Sequence, residues 1–428
     1  MLAALRCPLR GTSDRELQGL SEILYVSYDG LLEPLGESQV VSYLESLSPS
    51  HQLTVVSFEK AQDLRDRRRV SQMETRLLAA GISWTPLTYH RWPPVLSTAY
   101  DILRGIWSGA RWAHTRSEWL VHARGYVAAA IALVLSRRRG GAFLFDMRGF
   151  WVDEKVDAGH WPRNGALYVV GKWFERRFFQ SADGIVSLTD AGVRCFPSLG
   201  YELGPHVAIE VIPTCVDLQR FQSAPKDPDL LLRFDLRGHL VAGCVGTLSN
   251  WYLRRETLEY LAFLSGQLEH LKVLLVTRDD HQRLRADAEH CGVPADRLVL
   301  ARADFREMPG MISLIDVGVF FIKACFSKKA SAATKLGEFL ACGVPVVIND
   351  GIGDSGSIVR DQTAGVVLAE PTAEAFTASI GPLRLLLRDP ETPSRCRGAA
   401  KQHFDLNHGV AAYDRLYRTL LAGRHDRP

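Results

Sequence analysis

The sequence predicts two doubly wound α/β domains facing a cleft, and three observations carry that expectation. The chain has 428 residues, more than one hydrophobic core usually serves. Short apolar runs alternate with amphipathic stretches along nearly its whole length, as in buried parallel strands joined by helices. The series breaks at the polar, proline-bearing stretch Phe221 to Asp229 and then restarts, which reads as a linker or a domain's opening loop.

Taken in order, the first series places strands at Ile23 to Ser27, His51 to Phe58, Trp119 to His122, Ala142 to Phe145 and Gly184 to Ser187. Gln39 to Leu47 and Ala61 to Ala80 supply helices between the earliest of them. The second series places strands at Leu240 to Val245, Leu271 to Val276, Leu298 to Leu300, Val317 to Ile322 and Val344 to Ile348. A last helix is expected over Val410 to Leu421, where Tyr413, Leu416, Tyr417, Leu420 and Leu421 share one face.

Composition narrows the function classes. With 46% hydrophobic and 23% charged residues, 35 Gly and 20 Pro, the chain is neither disordered, collagenous nor coiled coil. A net charge of +3 is too small to bind nucleic acid through bulk charge, so no nucleic-acid partner is expected. Mean hydropathy of −0.04, with no uncharged apolar run of about 18 residues, argues against a membrane span. The 8 cysteines form no C-x-x-C pair, so they read as free thiols of a reducing cytosol, and no metal ligand set is expected. Met1 to Gly19 mixes charges without an apolar core and reads as no secretory signal.

The most informative stretch runs from Phe320 to Asp354. A strand ends near Ile322, a loop with Lys323, Lys328 and Lys329 follows, and a helix begins near Ser331 or Thr334, either of which suits an N-cap. Leu336, Phe339 and Leu340 form its apolar stripe, while Lys335 and Glu338 share another face. Ligands of open α/β sheets sit beyond the carboxyl ends of the strands, and a helix start offers free N–H donors to an anion. The lysines add fixed charge for a diphosphate, and Glu338 suits a ribose diol. A solvated basic loop with a surface Lys–Glu pair stands open as the plainer reading.

A second candidate opens this half. Gly246 and Thr247 follow a strand, Arg254 and Arg255 stand at a helix start, and Arg278 follows the next strand. Cations at a helix start oppose its dipole unless an anion is near; pairing of Arg254 and Arg255 with Glu256 and Glu259 is the alternative. In the first half, Gly30 and Gly36 permit close backbone approach after the first strand, and Ser38 suits a helix cap. Beyond two later strands lie His122 with Arg124, and Asp146 and Arg148 with Glu154. These are candidates by topology, although Asp146 and Arg148 equally form a buried ion pair. The run Gly351 to Gly356 matches G-x-G-x-x-G, but too little helix follows it, and no acid stands about 20 residues on, for a dinucleotide fold.

Ala330 to Pro345 resembles the nucleotide-sugar signature of family 4 glycosyltransferases, T-K-x-x-E-[FY]-L-A-C-G-x-P-V, through Thr334, Lys335, Glu338, Phe339 to Gly343, Pro345 and Val346. Val211 to Asp217 with Phe221 resembles that family's hinge, and Asp146, Arg148 and Trp151 its D-x-R-x-x-W motif of members that build surface polysaccharides. The resemblance implies the GT-B fold: two Rossmann-like domains with a cleft between them and a C-terminal crossover helix. Residues 1–217 would form the acceptor-side domain, 218–405 the nucleotide-sugar domain, and 406–428 the helix packing back on the first.

It also implies transfer of a sugar from a nucleoside-diphosphate sugar to an acceptor hydroxyl, with retention, no metal and no separate cofactor, in surface glycan assembly. Arg254, Lys335, His122 and Glu154 are then the expected catalytic residues. Gly246, Thr247, Arg278, Lys329, Ser331, Thr334 and Glu338 would hold the donor; Gly30, Gly36, Ser38, Arg124, Asp146 and Arg148 would face a glycan or lipid-linked acceptor. Where the family often carries a further Glu against the donor sugar, this chain has Ala330. That departure keeps a catalytically inert binding subunit open as an alternative, beside a nucleotide-sugar epimerase on the same fold. Eight of the nine tryptophans precede residue 175, and region 91–139 interleaves Trp with Arg. Such a region suits the headgroup level of an anionic membrane, at the cytoplasmic face, or equally a core with snorkelling stems.

Overall fold

The computed structural model describes residues 20–425 apart from Pro205; the stretch read as no secretory signal lies outside the described residues. Two all-parallel sheets form the frame. The first has seven strands: β1 (Ser21–Ser27), β2 (His51–Glu59), β3 (Ser83–Thr88), β4 (Trp119–Arg124), β5 (Ala142–Asp146), β6 (Gly184–Ser187) and β7 (Ala208–Val211). The second has six: β8 (Leu240–Val245), β9 (Leu271–Val276), β10 (Leu298–Ala301), β11 (Val317–Val319), β12 (Val346–Asn349) and β13 (Gly365–Leu368).

Their orders are β3-β2-β1-β4-β5-β6-β7 and β10-β9-β8-β11-β12-β13. Each order reverses beside its first strand, which leaves a crevice at the carboxyl ends of β1 and β4 and of β8 and β11. Helices α1 (Ser42–Leu47) and α2 (Arg67–Ala79) cover one face of the first sheet. On the other face lie α3 (Pro94–Ala113), α4 (Gly125–Arg139), α5 (Trp151–Asp157), α6 (Ala166–Ser181) and α7 (Asp190–Cys195). Because central strands are buried on both faces, Ile23 and Leu24, neighbours on β1, serve opposite cores. Burial of such a side chain contributes about 1.5–3 kcal/mol.

In the second lobe, α8 (Arg254–Gln267), α9 (Thr334–Ala341) and α10 (Ser355–Asp361) follow β8, β11 and β12. The chain then returns. Val216 pairs with Asp405 as an isolated bridge, its N–H donating to Phe404 O at 2.7 Å, and α11 (Leu406–His425) leaves that hinge to pack on the first lobe. Tyr413 stands edge-on to Tyr43 at 5.6 Å, and His51 bonds Asp414 at 2.7 Å. Among the described residues, no helix is long and apolar enough to cross a membrane.

Candidate active site

The start of α9 lies at the floor of the cleft between the lobes. Ala333, in extended conformation, precedes the helix and no side chain caps it, so neither expected N-cap, Ser331 nor Thr334, has that role. Leu336, Phe339 and Leu340 enter the core as their spacing predicts. That packing fixes the direction of the two residues that do not belong to the stripe.

Lys335 is only 6% exposed. Its Nζ lies 3.2 Å from the Thr247 carbonyl and 3.6 Å from the centre of the Tyr252 ring, and none of its hydrogen-bond or ring partners is a carboxylate. A buried ammonium is costly unless it is compensated, and here a carbonyl and an aromatic ring, rather than a hydrogen-bonded carboxylate, face it. Glu338, one turn on, lines the same cleft. Burial pushes its pKa up to about 7, against the opposing pull of Lys335 and Arg220.

The cleft holds about 560 Å³, lined by Thr334, Lys335, Glu338, Tyr252, Gly246, Thr247 and Arg278 from the second lobe and by Glu33, Leu35 and Ser38 from the first. Gly246 takes φ of +77° directly above the Lys335 ammonium, a conformation that L residues resist. Asp279 accepts from the Thr247 hydroxyl at 3.0 Å and the Leu248 N–H at 2.9 Å, holding that loop. Arg278 is exposed at the rim and pairs with Asp304 at 2.7 Å.

Across the cleft, the loop after β1 is fixed from below. The buried Glu59 carboxylate accepts from Leu31 N–H at 2.8 Å, Leu32 N–H at 3.2 Å and the Ser57 hydroxyl at 2.6 Å. Gly36 stands so close to Gly30 that a Cβ there would fall 2.1 Å from the Gly30 carbonyl oxygen. Ser38 faces the cleft from a π-helical turn, Glu37–Val41, and caps no helix; its hydroxyl donates to Leu35 O at 3.4 Å.

Other expected site residues lie elsewhere. Arg254 bonds Asp287 at 2.8 Å and the Ser249 hydroxyl at 2.6 Å, and it lines a separate depression with Arg255 and Arg283. Arg255 pairs with Glu259 at 2.7 Å, the plainer of its two readings. Lys329 is exposed beside the Phe326 ring, and Ser331 is half-buried near Gly149 of the first lobe.

His122 is enclosed between the Tyr25 and Tyr413 rings, with Nδ1 2.6 Å from the Tyr417 hydroxyl and Nε2 3.5 Å from Asp146. Burial holds its pKa below the usual value. Arg124 and Arg148 lie 3.7 and 3.8 Å from Asp146, which also accepts from Tyr413 at 3.2 Å. Burial pushes the Asp146 carboxyl up, but Arg148, His122 and Arg124 outweigh it and hold it below the usual range. This cluster braces the loop and α11 in the manner of the buried ion pair.

Glu154 bonds Lys328 across the lobes at 3.0 Å, within a seam that also contains the Phe150–Phe326 stack at 5.1 Å. Asp354 continues that seam, accepting from the Asp190 and Ala191 N–H groups at 2.6 and 3.0 Å. Ala330 is fully buried there against Gly192, so a glutamate at this position would meet packed protein. Tyr252 and Glu59 escaped the sequence reading. An aromatic pair, Trp251 and Tyr252, directly after the first loop of the second half is the signal that points to the former; Glu59 at the end of a strand gives none.

A comparison with family models matches residues 37–215 to a glycosyl transferase 4-like domain and residues 240–403 to glycosyl transferases group 1. No curated protein matches the chain by sequence. Among solved structures, a sucrose-phosphate synthase from Thermosynechococcus elongatus aligns at 15% identity, covering 94% of this chain and 100% of that one, with a TM-score of 0.71. Anabaena HepE, solved in complex with UDP and glucose, aligns at 15% identity over 93% of this chain and 98% of its own, with a TM-score of 0.68. WaaG, a glycosyltransferase involved in lipopolysaccharide biosynthesis, aligns at 13% identity over 93% and 99%, with a TM-score of 0.62. With both lobes matched by glycosyltransferase models and the two parallel sheets facing one cleft, the chain belongs to the GT-B glycosyltransferases.

Proposed function

We propose that this transferase moves a sugar from a nucleoside-diphosphate sugar to an acceptor hydroxyl, with retention and without a metal ion, in surface glycan assembly. The observation that carries the donor assignment is Lys335, a buried cation that hydrogen-bonds no carboxylate, at an uncapped helix start on the cleft floor. The likeness to HepE, which was solved with UDP, supports the same ligand class. Cleavage of the anomeric C–O bond develops negative charge on the departing diphosphate and oxocarbenium character on the sugar. Preorganised positive charge lowers that barrier most, and Lys335 with the first N–H groups of α9 supplies it, in the place a divalent cation otherwise takes.

Glu338 accepts from the ribose hydroxyls, and Ser38, Glu33 and Leu35 close the acceptor side. Arg254 is a positioning residue, holding the loop from Leu248 to Ser249 through bonds of 3.4 and 2.6 Å. Retention and a place in surface glycan assembly rest on the family resemblance, including the D-x-R-x-x-W run from Asp146 to Trp151. A panel of UDP-, GDP-, dTDP- and CMP-sugars tests the function: one donor raises the melting temperature and releases its nucleotide when acceptor is added. No shift and no release with any of them contradicts the reading.

The Glu338 carboxyl adds a pH dependence. With its pKa raised to about 7, the folded protein binds this proton more tightly than the unfolded chain. The stability it contributes is therefore full at acid pH and lost as pH rises through about 7. Donor recognition has the opposite sign, because only the carboxylate accepts both ribose hydroxyls. Nucleoside-diphosphate affinity is expected to rise between about pH 6 and 8, and Glu338→Gln to flatten the profile. Titration calorimetry across that range checks both; an unchanged slope in the variant assigns the dependence elsewhere.

A further inference from the structure

We propose that the first lobe rests on an anionic lipid bilayer through one continuous face built by α3 and α6 with α4 between them. The exposed large apolar side chains of the described protein concentrate there. On α3, Leu96, Tyr100, Leu103 and Trp107 stand 70%, 53%, 64% and 64% exposed at intervals of three to four residues. On α6, Val170, Trp173 and Phe174 repeat the pattern. Between them α4 leaves Val127, Ala130 and Val134 half-buried, with Gly125 and Ser136, before its terminal arginines. Single-chain proteins rarely expose a large contiguous apolar patch without a partner.

Charge decides which partner. Arg104, Arg111, Arg176 and Arg177 flank the exposed rings, and two of them cover tryptophans: Arg111 lies 4.7 Å from the centre of Trp107, Arg177 5.2 Å from that of Trp173. The acids of these three helices, Asp101 and Glu175, are both fully buried and engaged, Asp101 with Tyr28 and His90, Glu175 with Lys172, Tyr126 and Tyr201. The face is therefore apolar, aromatic and uniformly cationic. A headgroup layer of phosphates over acyl chains meets this surface directly. Among the described residues no helix is long and apolar enough to cross a bilayer, so the contact proposed is one of the surface. The inference deepens the acceptor reading, since a lobe held at the headgroups meets lipid-linked hydroxyls, but its evidence is independent of donor chemistry.

Flotation of the full chain with vesicles tests it without donor or acceptor, so its failure leaves the transferase reading intact. Vesicles of phosphatidylcholine with about one third phosphatidylglycerol are expected to bind about a thousandfold more tightly than phosphatidylcholine alone, four arginines contributing about 1 kcal/mol each. The double variant Leu103→Glu, Trp173→Glu is expected to lose this binding and keep its melting temperature, both side chains being exposed. Equal binding to neutral vesicles overturns the proposal, as does the absence of binding. So does a mass that doubles with concentration in light scattering and reverts in the same variant, which would make the face a contact between two copies.

Discussion

Lys335→Met is expected to lower kcat by about 10³-fold while leaving the ligand-free protein as stable as before, or more so. The two effects have one cause. Lys335 is 6% exposed and its ammonium hydrogen-bonds no carboxylate; the Thr247 carbonyl, the Cys244 sulfur and the Tyr252 and Phe320 rings face it. Exchanging a poorly compensated buried charge for an apolar side chain of similar length is neutral or stabilising by about 1 kcal/mol or more, which in a lobe of this size raises the transition by about 2–4 °C. Under the proposed function, the same ammonium supplies positive charge to the departing diphosphate. Melting curves with and without nucleoside diphosphate check both halves: the variant's own transition holds or rises, and the ligand-induced shift disappears. A lower melting temperature with retained turnover makes Lys335 a structural residue.

Gly36→Ala is expected to damage the opposite wall. Its Cβ would lie 2.1 Å from the Gly30 carbonyl oxygen and 2.8 Å from the Leu31 Cα. Both are backbone atoms of the loop that Glu59 ties down, so neither moves cheaply. A loss of roughly 3–5 kcal/mol in the first lobe follows, the range of severe steric substitutions. Where the chain still folds, displacement of the Glu33 to Ser38 wall by about 1 Å costs about 10²-fold in kcat/KM. Two-stage thermal unfolding, followed by assay below the first transition, separates the effects. A variant with the native melting curve would show that this contact relaxes without strain.

The central strands were legible because burial on both faces leaves them as unbroken apolar runs. The three strands that escaped, β3, β7 and β13, are all edges of their sheets. Ser83 and Thr85 of β3 are exposed around Trp84, and Pro86 interrupts the run, as a half-solvated edge permits. In the candidate site, Lys335 and Glu338 were readable because both lie on one short helix whose apolar stripe orients them. The strand-end position of His122 predicts that it faces the cleft; Tyr417, 295 residues away, covers it. Arg254 was likewise read from its own helix, whereas its partner Asp287 belongs to another element. Local spacing carries direction along one element, and contacts between distant elements decide what then lies in front of it.

Whether the second lobe grips a diphosphate at the start of α9 is decided by a structure determined with a nucleoside diphosphate bound. Phosphate oxygens are expected within hydrogen-bond reach of the Lys335 ammonium and the first N–H groups of α9, with the ribose on Glu338. Nucleotide seated instead in the depression beside Arg254, with the cleft floor unoccupied, would contradict it.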